Sequence, residues 1–409
     1  MVQLPADFVA ETRRIMGEER YNRFVGAFDE EAPTSIRVNP RIAIDHGPWT
    51  IDHSDSQVPW CSEGYYLADR PQFTFDPLLH AGCYYVQEAS SMFVTHILRT
   101  VDSSSPNYQL STIHYQLALD LCAAPGGKST ALRSVLPADC VLISNEPMGN
   151  RAQILLENVT KWGAPNHIVT NNYPRDFRKA KLKFDFILCD VPCSGEGMFR
   201  KDPNAISEWS AQNVEKCWQL QREIVADAWE CLNPGGLLIY STCTYNTKEN
   251  EENIRWILDT YDAQVLDIPV DPSWNITGSL LDGFHEPVYR FIPGITRGEG
   301  LFVCALRKAG SSEPKPFNAK KLQLKVLEAE FEKSDVCVDV DFAEALKYLR
   351  GEALVLPPDT PRGIVTITYQ GQPLGPVKNI GNRANNLYPK AWRIKSTHLP
   401  ATAPKIINV

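Results

Sequence analysis

Residues 119–130 read Leu-Asp-Leu-Cys-Ala-Ala-Pro-Gly-Gly-Lys-Ser-Thr, and this segment indicates the class of fold. An apolar run enters a turn of small residues, which opens into a segment typical of a helix. Glycines allow the backbone to approach a ligand closely, and a helix N-terminus presents N–H groups without intrahelical partners. We therefore predict a strand-turn-helix unit whose turn binds a ligand through seven residues: Cys122, Ala123, Ala124, Pro125, Gly126, Gly127 and Lys128.

The end of this turn, Gly127-Lys128-Ser129, also matches the end of a P-loop, which binds nucleoside triphosphates. A P-loop has a further glycine, separated by four residues from the second one, and this chain has Cys122 at that position. Pro125 also removes a backbone N–H from the loop. We therefore reject a nucleoside triphosphate site.

Strand-like and helical segments alternate around the turn, which predicts a parallel sheet with helices on its faces. The fold class is α/β with a Rossmann-like core. The predicted strands are Leu117–Leu121, Val141–Ser144, His167–Thr170, Phe184–Asp190, Leu237–Ser241 and Leu301–Leu306. Helical periodicity covers Asn150–Lys161 and Ser210–Leu232, and Asn233-Pro234-Gly235-Gly236 is a stop signal for the second helix.

The two ends of the chain have different patterns from the centre, and 409 residues exceed one ordinary core. Apolar spacing predicts a helix over Pro5–Phe28 and strands over Ser35–Ile44 and Tyr65–Thr74. A Gly- and Pro-containing linker at residues 310–316 precedes a charged helix predicted from Ala319 to Phe331. The last part, with a strand over Gly363–Tyr369, is expected to be a small β-rich module.

The composition is that of a soluble globular protein, with 43% apolar and 22% charged residues. Uncharged apolar runs of about 18 residues are absent, so we expect no membrane span, and the first residues do not resemble a secretory signal. The 11 cysteines are odd in number, scattered, and without a Cys-x-x-Cys pair. We therefore expect a reduced, cytoplasmic protein without a metal site.

The net charge of −8 argues weakly against a nucleic-acid partner, because affinity for phosphates is largely electrostatic. The local charge of the chain end argues the other way. Residues 360–409 contain no Asp or Glu and seven basic residues: Arg362, Lys378, Arg383, Lys390, Arg393, Lys395 and Lys405. A solvated tail usually mixes both signs, so this composition favours binding of a nucleic acid.

Glu146 lies 19 residues after Gly127 and directly follows a predicted strand. In a Rossmann-type sheet, an acidic residue at this place accepts hydrogen bonds from ribose hydroxyls. A lone Glu after a strand is more often a solvated loop residue, but the glycine-rich turn upstream favours the adenosine-binding interpretation. The next helix places Arg151 one turn away, where it can orient the carboxylate.

Two cysteines follow predicted strands, in Asp190-Val191-Pro192-Cys193 and in Ser241-Thr242-Cys243. Ligands bind at the carboxyl ends of strands in open α/β sheets, so both thiols and Asp190 are expected at one crevice. Many methyltransferases that act on amino groups have an aromatic residue where this chain has Cys193. A cysteine there points away from amine chemistry and towards a thiol role.

Two thiols suit methylation of carbon 5 of cytosine, which is a poor nucleophile. A thiolate that adds to carbon 6 moves electron density to carbon 5, which then attacks a sulfonium methyl group. Asp190 can bond the edge of the base and stabilise the adduct. The spacing alone does not say which cysteine attacks.

These motifs resemble the NOL1/NOP2/Sun family of RNA 5-methylcytosine methyltransferases, and the likeness covers most of the chain. It includes Arg37–Pro40, Tyr85–Met92, Cys122–Lys128, Asp190–Gly197, Ser241–Asn246 with Glu249–Glu251, and Gly298–Phe302. The resemblance implies that Cys243 is the nucleophile and that Cys193 assists product release. It also implies that S-adenosylmethionine is bound by Cys122–Lys128, Glu146 and Asp190, and that Lys128 and Asp190 line the reaction centre.

Two further features depend on this resemblance. The family commonly has an Asp near the adenine, where this chain has Asn171-Asn172-Tyr173-Pro174, so Asn172 is the corresponding expectation. The chain end resembles the PUA-like tail of the bacterial small-subunit ribosomal RNA methyltransferases of type F. This likeness of the chain end favours 16S ribosomal RNA, or the small ribosomal subunit, over transfer RNA as the partner.

The resemblance also divides the chain into four parts. They are an N-terminal α+β RNA-binding unit (1–80), a methyltransferase domain (81–308), a linker with a helix (309–335) and a PUA-like RNA-binding module (336–409). Within the second part, Phe199-Arg200-Lys201 follows the Cys193 motif and is a candidate for holding RNA near the thiols.

Three alternatives remain open at this stage. The substrate is transfer RNA rather than ribosomal RNA, or the enzyme methylates cytosine in DNA, where the thiol of the Pro-Cys motif attacks. In the third alternative, the protein is a ribosome-assembly factor that binds RNA without catalysis. Separate replacement of Cys193 and Cys243 distinguishes the second, and affinity for S-adenosylmethionine distinguishes the third.

Overall fold

The structure is a computed structural model that describes residues 3–42, 50–51, 54–103, 115–312, 317–319, 322–329, 331 and 334–408. Its first part contains helices α1 (Ala6–Met16), α2 (Glu18–Gly26) and α3 (Pro77–His80). The strands of this part are β1 (Thr34–Val38), β2 (Thr50–Ile51), β3 (Ser54–Gln57), β4 (Gly64–Leu67) and β5 (Tyr84–Val86). Four of them form an antiparallel sheet in the order β3-β4-β1-β5.

Three sequence predictions for this part were too long. The single helix expected over Pro5–Phe28 is two helices, because Gly17 has a φ of +73° and interrupts the helical backbone. The strand expected over Ser35–Ile44 ends at Val38, before Asn39-Pro40, and residues 43 and 44 lie outside the described part. The strand expected over Tyr65–Thr74 ends at Leu67, before Pro71, which cannot donate to a strand ladder.

The central part contains the helices α4 (Phe93–Ser103), α5 (Gly127–Val135), α6 (Gly149–Trp162), α7 (Pro174–Lys179), α8 (Pro203–Glu208), α9 (Ala211–Cys231) and α10 (Glu251–Thr260). Its strands are β6 (Leu117–Asp120), β7 (Val141–Asn145), β8 (His167–Thr170), β9 (Phe184–Asp190), β10 (Leu232–Thr242), β11 (Ala263–Val265), β12 (Tyr289–Phe291) and β13 (Leu301–Lys308). All six predicted strands are present, so the predicted α/β core is confirmed.

Strands β8-β7-β6-β9-β10 are parallel neighbours in this order. The antiparallel strand β13 follows β10, and β11 and β12 both pair with β13. Strand order reverses between β6 and β9, and the carboxyl ends beside such a switch point form the usual ligand crevice of an α/β sheet. Residues of β9 alternate between two apolar layers, since Phe186 and Leu188 pack on one face and Ile187 and Cys189 on the other.

The predicted stop signal at 233–236 ends helix α9, but it does not form a separate loop. Strand β10 begins at Leu232, and its pairing with β9 shifts register between Leu232 and Leu237. The four residues therefore form an irregularity within the strand, where a register shift accommodates Pro and Gly.

The helix predicted from Ala319 to Phe331 is wrong for the residues that the structure describes in this range. Val326 and Leu327 form the short strand β14, which pairs antiparallel with β8 at the edge of the central sheet. An unpaired sheet edge offers backbone donors and acceptors, and this pairing outweighs the helical preference of the charged residues.

The last part contains β15 (Cys337–Asp339), α11 (Phe342–Arg350), β16 (Gly363–Tyr369), β17 (Gln372–Asn379), β18 (Ala384–Asn386) and β19 (Ile407–Asn408). The strands β15-β16-β17-β18 form a sheet, and β19 pairs with β2 of the first part. One apolar core contains buried residues of both ends, among them Val38 and Tyr84 with Leu346 and Val377. The first and last parts of the chain are thus packed together.

Candidate active site

The glycine-rich turn joins β6 to α5 beside the switch point of the sheet. Gly126 has a φ of +114°, a backbone conformation that residues with a side chain rarely adopt. Helix α5 begins at the next residue, Gly127. The N–H of Ala123 donates to the carbonyl of Asn145 at 2.8 Å, and Asn158 donates to the carbonyl of Pro125 at 2.8 Å. These bonds hold the turn against β7 and α6, with the N–H groups of the α5 N-terminus left for a ligand.

Two buried carboxylates near this turn each have one oxygen without a hydrogen-bond partner among the described residues. Asp120 accepts from the Ser129 hydroxyl through Oδ2, and its Oδ1 has no partner. Glu146 accepts from the N–H of Met148 through Oε1, and its Oε2 forms no hydrogen bond. Buried acceptors are normally paired, so these oxygens mark a place for a ligand that donates hydrogen bonds.

Arg151 links the turn to Glu146, as the spacing predicts. Its Nη2 donates to the carbonyl of Ala124 at 2.9 Å, and its Nη1 lies 3.4 Å from Glu146 Oε2. The arginine is half exposed and the carboxylate is buried. The ion pair therefore orients Glu146 from the solvent side.

Asn172 bonds the segment that leads into β14. Its Oδ1 accepts from the N–H of Lys325 and its Nδ2 donates to the carbonyl of Lys325, both at 3.1 Å. The pairing of this segment with the end of β8 was not visible in the sequence. Asn172 as an adenine contact stays a prediction.

Asp190 ends β9 and is bonded through both carboxylate oxygens. Lys128 donates to Oδ2 at 2.8 Å, and the hydroxyl of Ser241 donates to Oδ1 at 2.6 Å. Asp190 and Ser241 are partners in the parallel pairing of β9 and β10. Burial opposes the charged ammonium, but the adjacent Asp190 carboxylate outweighs it and raises the pKa of Lys128. The lysine therefore keeps its charge at neutral pH.

The two predicted cysteines lie together at the carboxyl ends of neighbouring strands. Their Sγ atoms are 3.1 Å apart. The hydrogen bond to Cys243 and burial both raise the pKa of Cys193 well above its ordinary value, so Cys193 keeps its proton. The Lys128 ammonium interacts electrostatically with Cys243. The site therefore brings two thiols and a cation together, an arrangement that suits chemistry at sulfur.

A buried polar network joins the two loops that carry the cysteines. Glu249 accepts from the N–H of Ser194 at 3.0 Å and from the Asn246 amide at 2.8 Å. Glu196 accepts from the N–H of Asn246 at 3.0 Å and from its amide at 2.9 Å. Gln221 of α9 also donates to Glu249 at 2.6 Å. The network fixes the position of one thiol relative to the other.

The sequence interpretation gave this network no role. Its signal in the sequence is a cluster of polar and acidic residues within the two cysteine motifs, at positions that the structure buries. Polar residues are rarely buried without partners, so such a cluster indicates a hydrogen-bond network. The partners, however, lie about 50 residues apart in the chain.

The candidate RNA contact at residues 199–201 is corrected in part. Phe199 is buried in an apolar cluster, where its ring lies 5.0 Å from that of Phe8. The Arg200 side chain is also buried, 3.6 Å from the carboxylate of Glu299. Lys201 is exposed and is the part of this segment that remains available to RNA. Packing of α1 against this loop explains the difference.

The basic residues of the chain end lie on the surface of the last part. Arg393 is half-buried and donates to the carbonyl of Tyr388. Six are exposed: Arg362, Lys378, Arg383, Lys390, Lys395 and Lys405. No acidic residue lies among these six exposed residues in the sequence, so they give the last part a positive surface. The net charge of the whole protein is nevertheless negative.

The structure describes no helix that is long and apolar enough to cross a bilayer. Among the described residues there is also no group of three His, Cys, Asp or Glu side chains arranged to hold a metal ion.

Solved structures of other proteins share this fold. A methyltransferase homologue from Pyrococcus horikoshii matches with a TM-score of 0.60 at 26% identity, over 75% of this chain and 96% of that chain. NSun6 from the same organism, crystallised with SFG, matches with a TM-score of 0.59 at 19% identity, over 75% and 99% of the two chains. The second likeness shows the fold alone.

Two relatives by sequence have the same name. Ribosomal RNA small subunit methyltransferase F of Pectobacterium atrosepticum is 34% identical over 330 residues, which are 76% of this chain and 64% of that protein. The protein of the same name from Escherichia coli is 33% identical over 328 residues, with 75% and 64% of the chains covered. The match therefore spans less than two thirds of the length of these relatives.

Three family descriptions match successive parts of the chain. The N-terminal domain of 16S rRNA methyltransferase RsmF matches residues 4–89, and 16S rRNA methyltransferase RsmB/F matches residues 108–307. The RsmF PUA domain matches residues 336–394. Three successive parts of the chain are therefore similar to the domains of 16S rRNA methyltransferases of the RsmB/F type.

Proposed function

We propose that this protein transfers a methyl group from S-adenosylmethionine to carbon 5 of a cytosine in 16S ribosomal RNA, through a covalent adduct with Cys243. The observation that carries the proposal is the pair of thiols 3.1 Å apart, beside the Lys128–Asp190 pair. Methylation of an amino group needs no thiol, whereas carbon 5 of cytosine needs a nucleophile at carbon 6.

The residues around the glycine-rich turn fit S-adenosylmethionine. Glu146 Oε2, which forms an ion pair with Arg151 but no hydrogen bond among the described residues, suits a ribose hydroxyl. The small residues Ala123 to Gly127 leave room for the ligand against the backbone. Asp120 Oδ1 is a second oxygen without a hydrogen bond among the described residues, and with the pKa of Asp120 raised to about 7 this carboxyl group can donate or accept one. When bound, S-adenosylmethionine would supply an electrophilic methyl group, which its sulfonium sulfur carries.

Cys243 begins the proposed reaction as a thiolate. Its sulfur bonds to carbon 6 of cytosine, and the electron pair of the C5–C6 double bond moves to carbon 5 and the ring. Asp190, held by Lys128 and Ser241, faces the base edge and stabilises the charge that develops in the adduct. Carbon 5 would then form its bond to the methyl group while the bond between that methyl group and the donor sulfur breaks, which would leave S-adenosylhomocysteine.

Removal of the carbon 5 proton completes the cycle. The Cys193 thiol gives its proton to the departing Cys243 sulfur, and the resulting Cys193 thiolate takes the proton from carbon 5. The electrons of the C5–H bond re-form the C5–C6 double bond and the C6–S bond breaks. Both cysteines end as thiols, and Cys243 loses its proton to the solvent before the next turnover. The raised pKa of Cys193 makes its thiolate a strong base.

RNA as the substrate class is supported by the exposed basic residues of the last part and by the exposed Lys201 near the thiols. The target base must leave its stack to reach Cys243, so the substrate region is single-stranded or opened by the protein. The RNA of the small subunit is proposed from the names of the relatives.

Separate replacement of the two cysteines tests this function. We expect Cys243→Ala to reduce methyl transfer to 16S RNA by roughly a thousandfold or more, because the nucleophile is lost. Cys193→Ala is expected to form the adduct but to release RNA slowly, so a denaturation-resistant protein–RNA complex accumulates. Incorporation of labelled methyl groups, bisulfite mapping of the RNA and denaturing gels measure these outcomes.

Cys217→Ala is the matched control, since this half-buried cysteine on α9 lies outside the pair. Loss of transfer in Cys193→Ala with transfer retained in Cys243→Ala would reverse the roles and favour the DNA-type mechanism. Methylation of transfer RNA but not of 16S RNA would change the substrate. RNA binding without affinity for S-adenosylmethionine would leave a non-catalytic assembly factor.

A further inference from the structure

A cavity of about 320 Å³ lies where the first part of the chain, the C-terminal end of α6 and the last part meet. Residues from all three line it, including Asn39 and His80, Lys161 and Trp162, and Gln372 and Trp392. Its lining contains none of the residues Cys122–Lys128, Asp190, Cys193 or Cys243. It is therefore separate from the candidate active site, and its volume is in the range of small-molecule sites.

Gln372, the first residue of β17, presents an unmatched donor in this lining. Its side chain is buried, with 5% relative exposure, and its Nε2 has no hydrogen-bond partner among the described residues. An unpaired buried amide is unfavourable, because the group has lost its hydrogen bonds to water. The site therefore needs an acceptor that the described residues do not supply.

Aromatic rings and cations form the rest of the site. The rings of Phe331 and Trp392 are 5.8 Å apart with a tilt of 35°, and Tyr388 meets Trp392 edge-on at 6.0 Å. The ammonium of Lys161 lies 5.8 Å from the Trp392 ring. Arg41 is exposed at the lining, so a cation is available at the mouth.

The walls of the cavity are firmly joined. The Asn39 amide donates to the carbonyls of Gly82 and Trp162, at 2.9 and 3.0 Å. A Cβ on Gly82 would lie 1.8 Å from the carbonyl oxygen of Lys161, so the first part touches the end of α6 directly. Exposed lining residues such as Asp335 and Pro373 show that the cavity reaches the surface.

We propose that this cavity holds one unstacked base of the RNA, at a distance from the base that is methylated. The base packs against the aromatic rings, an acceptor on its edge pairs with Gln372 Nε2, and its phosphate faces Arg41. Aromatic side chains stabilise unstacked bases, because every base has a face that can stack on a ring. The inference rests on the proposed function only in taking RNA as the substrate.

Photocrosslinking tests the site on the unmodified full-length protein. The probe is a single-stranded RNA decamer that contains 5-iodouridine at one position. We expect cross-linked peptides that include Phe331, Tyr388 or Trp392. Cross-links confined to other peptides, or no complex with the decamer, overturn the proposal, and neither result depends on methyl transfer.

A substitution provides the second measurement. Gln372→Leu keeps most of the volume and removes the donor, and we expect a five- to tenfold weaker affinity for the decamer by fluorescence anisotropy. Gln264→Leu, at an exposed position of β11, is the matched control and should leave the affinity unchanged. Equal affinities of the Gln372 variant and the wild type contradict the proposal. If the variant does not fold, cross-linking decides alone.

The outcome is distinguishable from that of the proposed function. Affinity for S-adenosylmethionine and the adduct at Cys243 do not require this cavity. A protein that cross-links at Trp392 but does not methylate cytosine retains the cavity and loses the proposed function. A protein that methylates cytosine but gives no cross-links at the cavity retains the proposed function and contradicts the proposal for the cavity.

Discussion

Asp120 illustrates how a single buried group couples stability to pH. The residue is fully buried at the end of β6, where Ser129 is the only side chain among the described residues that donates to its carboxyl group. Burial raises the pKa of Asp120 to about 7. The folded protein therefore holds a proton that the unfolded chain releases at about pH 4.

This residue gives a prediction for stability. Because the folded pKa is the higher one, the contribution of Asp120 is fully present below about pH 4 and is lost as pH rises through about 7. We expect the free energy of unfolding to fall over this window in the wild type and to fall less in Asp120→Asn. The difference should be a few kcal/mol at most, because each tenfold change in proton affinity corresponds to roughly 1.4 kcal/mol. Urea denaturation at pH 5 and pH 8 measures it.

The comparison uses the slope with pH rather than the absolute stability, because the new amide leaves an unpaired N–H at both pH values. Asp262→Asn, at an exposed position, is the control and should follow the wild-type slope. Parallel pH profiles for Asp120→Asn and the wild type would show that Asp120 does not titrate in this range.

At the scale of elements, the active site depends on two loops that follow neighbouring parallel strands. The strands β9 and β10 place Cys193 and Cys243 at the same edge of the sheet, but adjacent strands alone leave freedom of loop position. Asn246 removes that freedom, because its amide donates to both Glu196 and Glu249. Without the Asn246 amide, two buried carboxylates face each other. Burial is the larger cause that raises the pKa of Glu249 to about 7, and the charge of Glu196 adds to it.

We expect Asn246→Ala to destabilise the protein by about 2–3 kcal/mol and to slow adduct formation at least tenfold. The affinity for S-adenosylmethionine should stay within about twofold, because the glycine-rich turn lies on other elements. Calorimetric binding and single-turnover methylation separate the two effects. Asn204→Ala, at an exposed position of α8, serves as the control. A parallel loss of cofactor affinity would mean that Asn246 has a general structural role.

At the scale of the whole molecule, charge is divided between an acidic protein and a basic end. The net charge is −8, yet residues 360–409 carry seven basic side chains and no acidic ones. Since β19 pairs with β2 and both ends share one core, this basic surface has a fixed position relative to the first part. Asn39 of that part donates to the carbonyl of Trp162 at the end of α6, which joins it to the central part. Fixed positive charge can guide RNA towards the site.

Reversal of charge at Lys378 and Arg383 tests this surface. We expect the double variant Lys378→Glu with Arg383→Glu to bind RNA about tenfold more weakly, or weaker still, at low salt. The slope of log Kd against log salt should fall by about 0.7 for each phosphate contact that is lost. Filter binding between 50 and 200 mM salt, the range over which such contacts weaken, is the measurement. Lys378→Arg with Arg383→Lys keeps the charge and should bind like the wild type. An unchanged salt slope after reversal would exclude these residues from the RNA contact.

Much of the fold could be predicted from local pattern. Apolar strands and amphipathic helices have their own periodicity, so the strands Phe184–Asp190 and His167–Thr170 have the predicted bounds. The glycine-rich turn, Asp190 and the two cysteines follow predicted strands, and parallel strands bring their carboxyl ends together. For these reasons the α/β core and the composition of the candidate site were visible in the sequence.

Features that depend on distant partners were not visible. The segment from Ala319 to Phe331 has residues that favour a helix, but β14 forms because the edge of β8 offers backbone partners. Asn172 bonds the backbone of Lys325 through its amide. Each result follows from two segments that are far apart in the chain, and a local pattern contains no information about such a pairing.

The glycine-rich turn, the carboxylates after the strands and the presence of two thiols were therefore contained in the sequence, because short-range steric and hydrogen-bonding requirements determine them. The close approach of the two thiols, the packing of the two chain ends into one core and the cavity beside Gln372 were decided only by tertiary structure. Burial and distance set the energies of charges and hydrogen bonds, and both quantities exist only when the chain is folded.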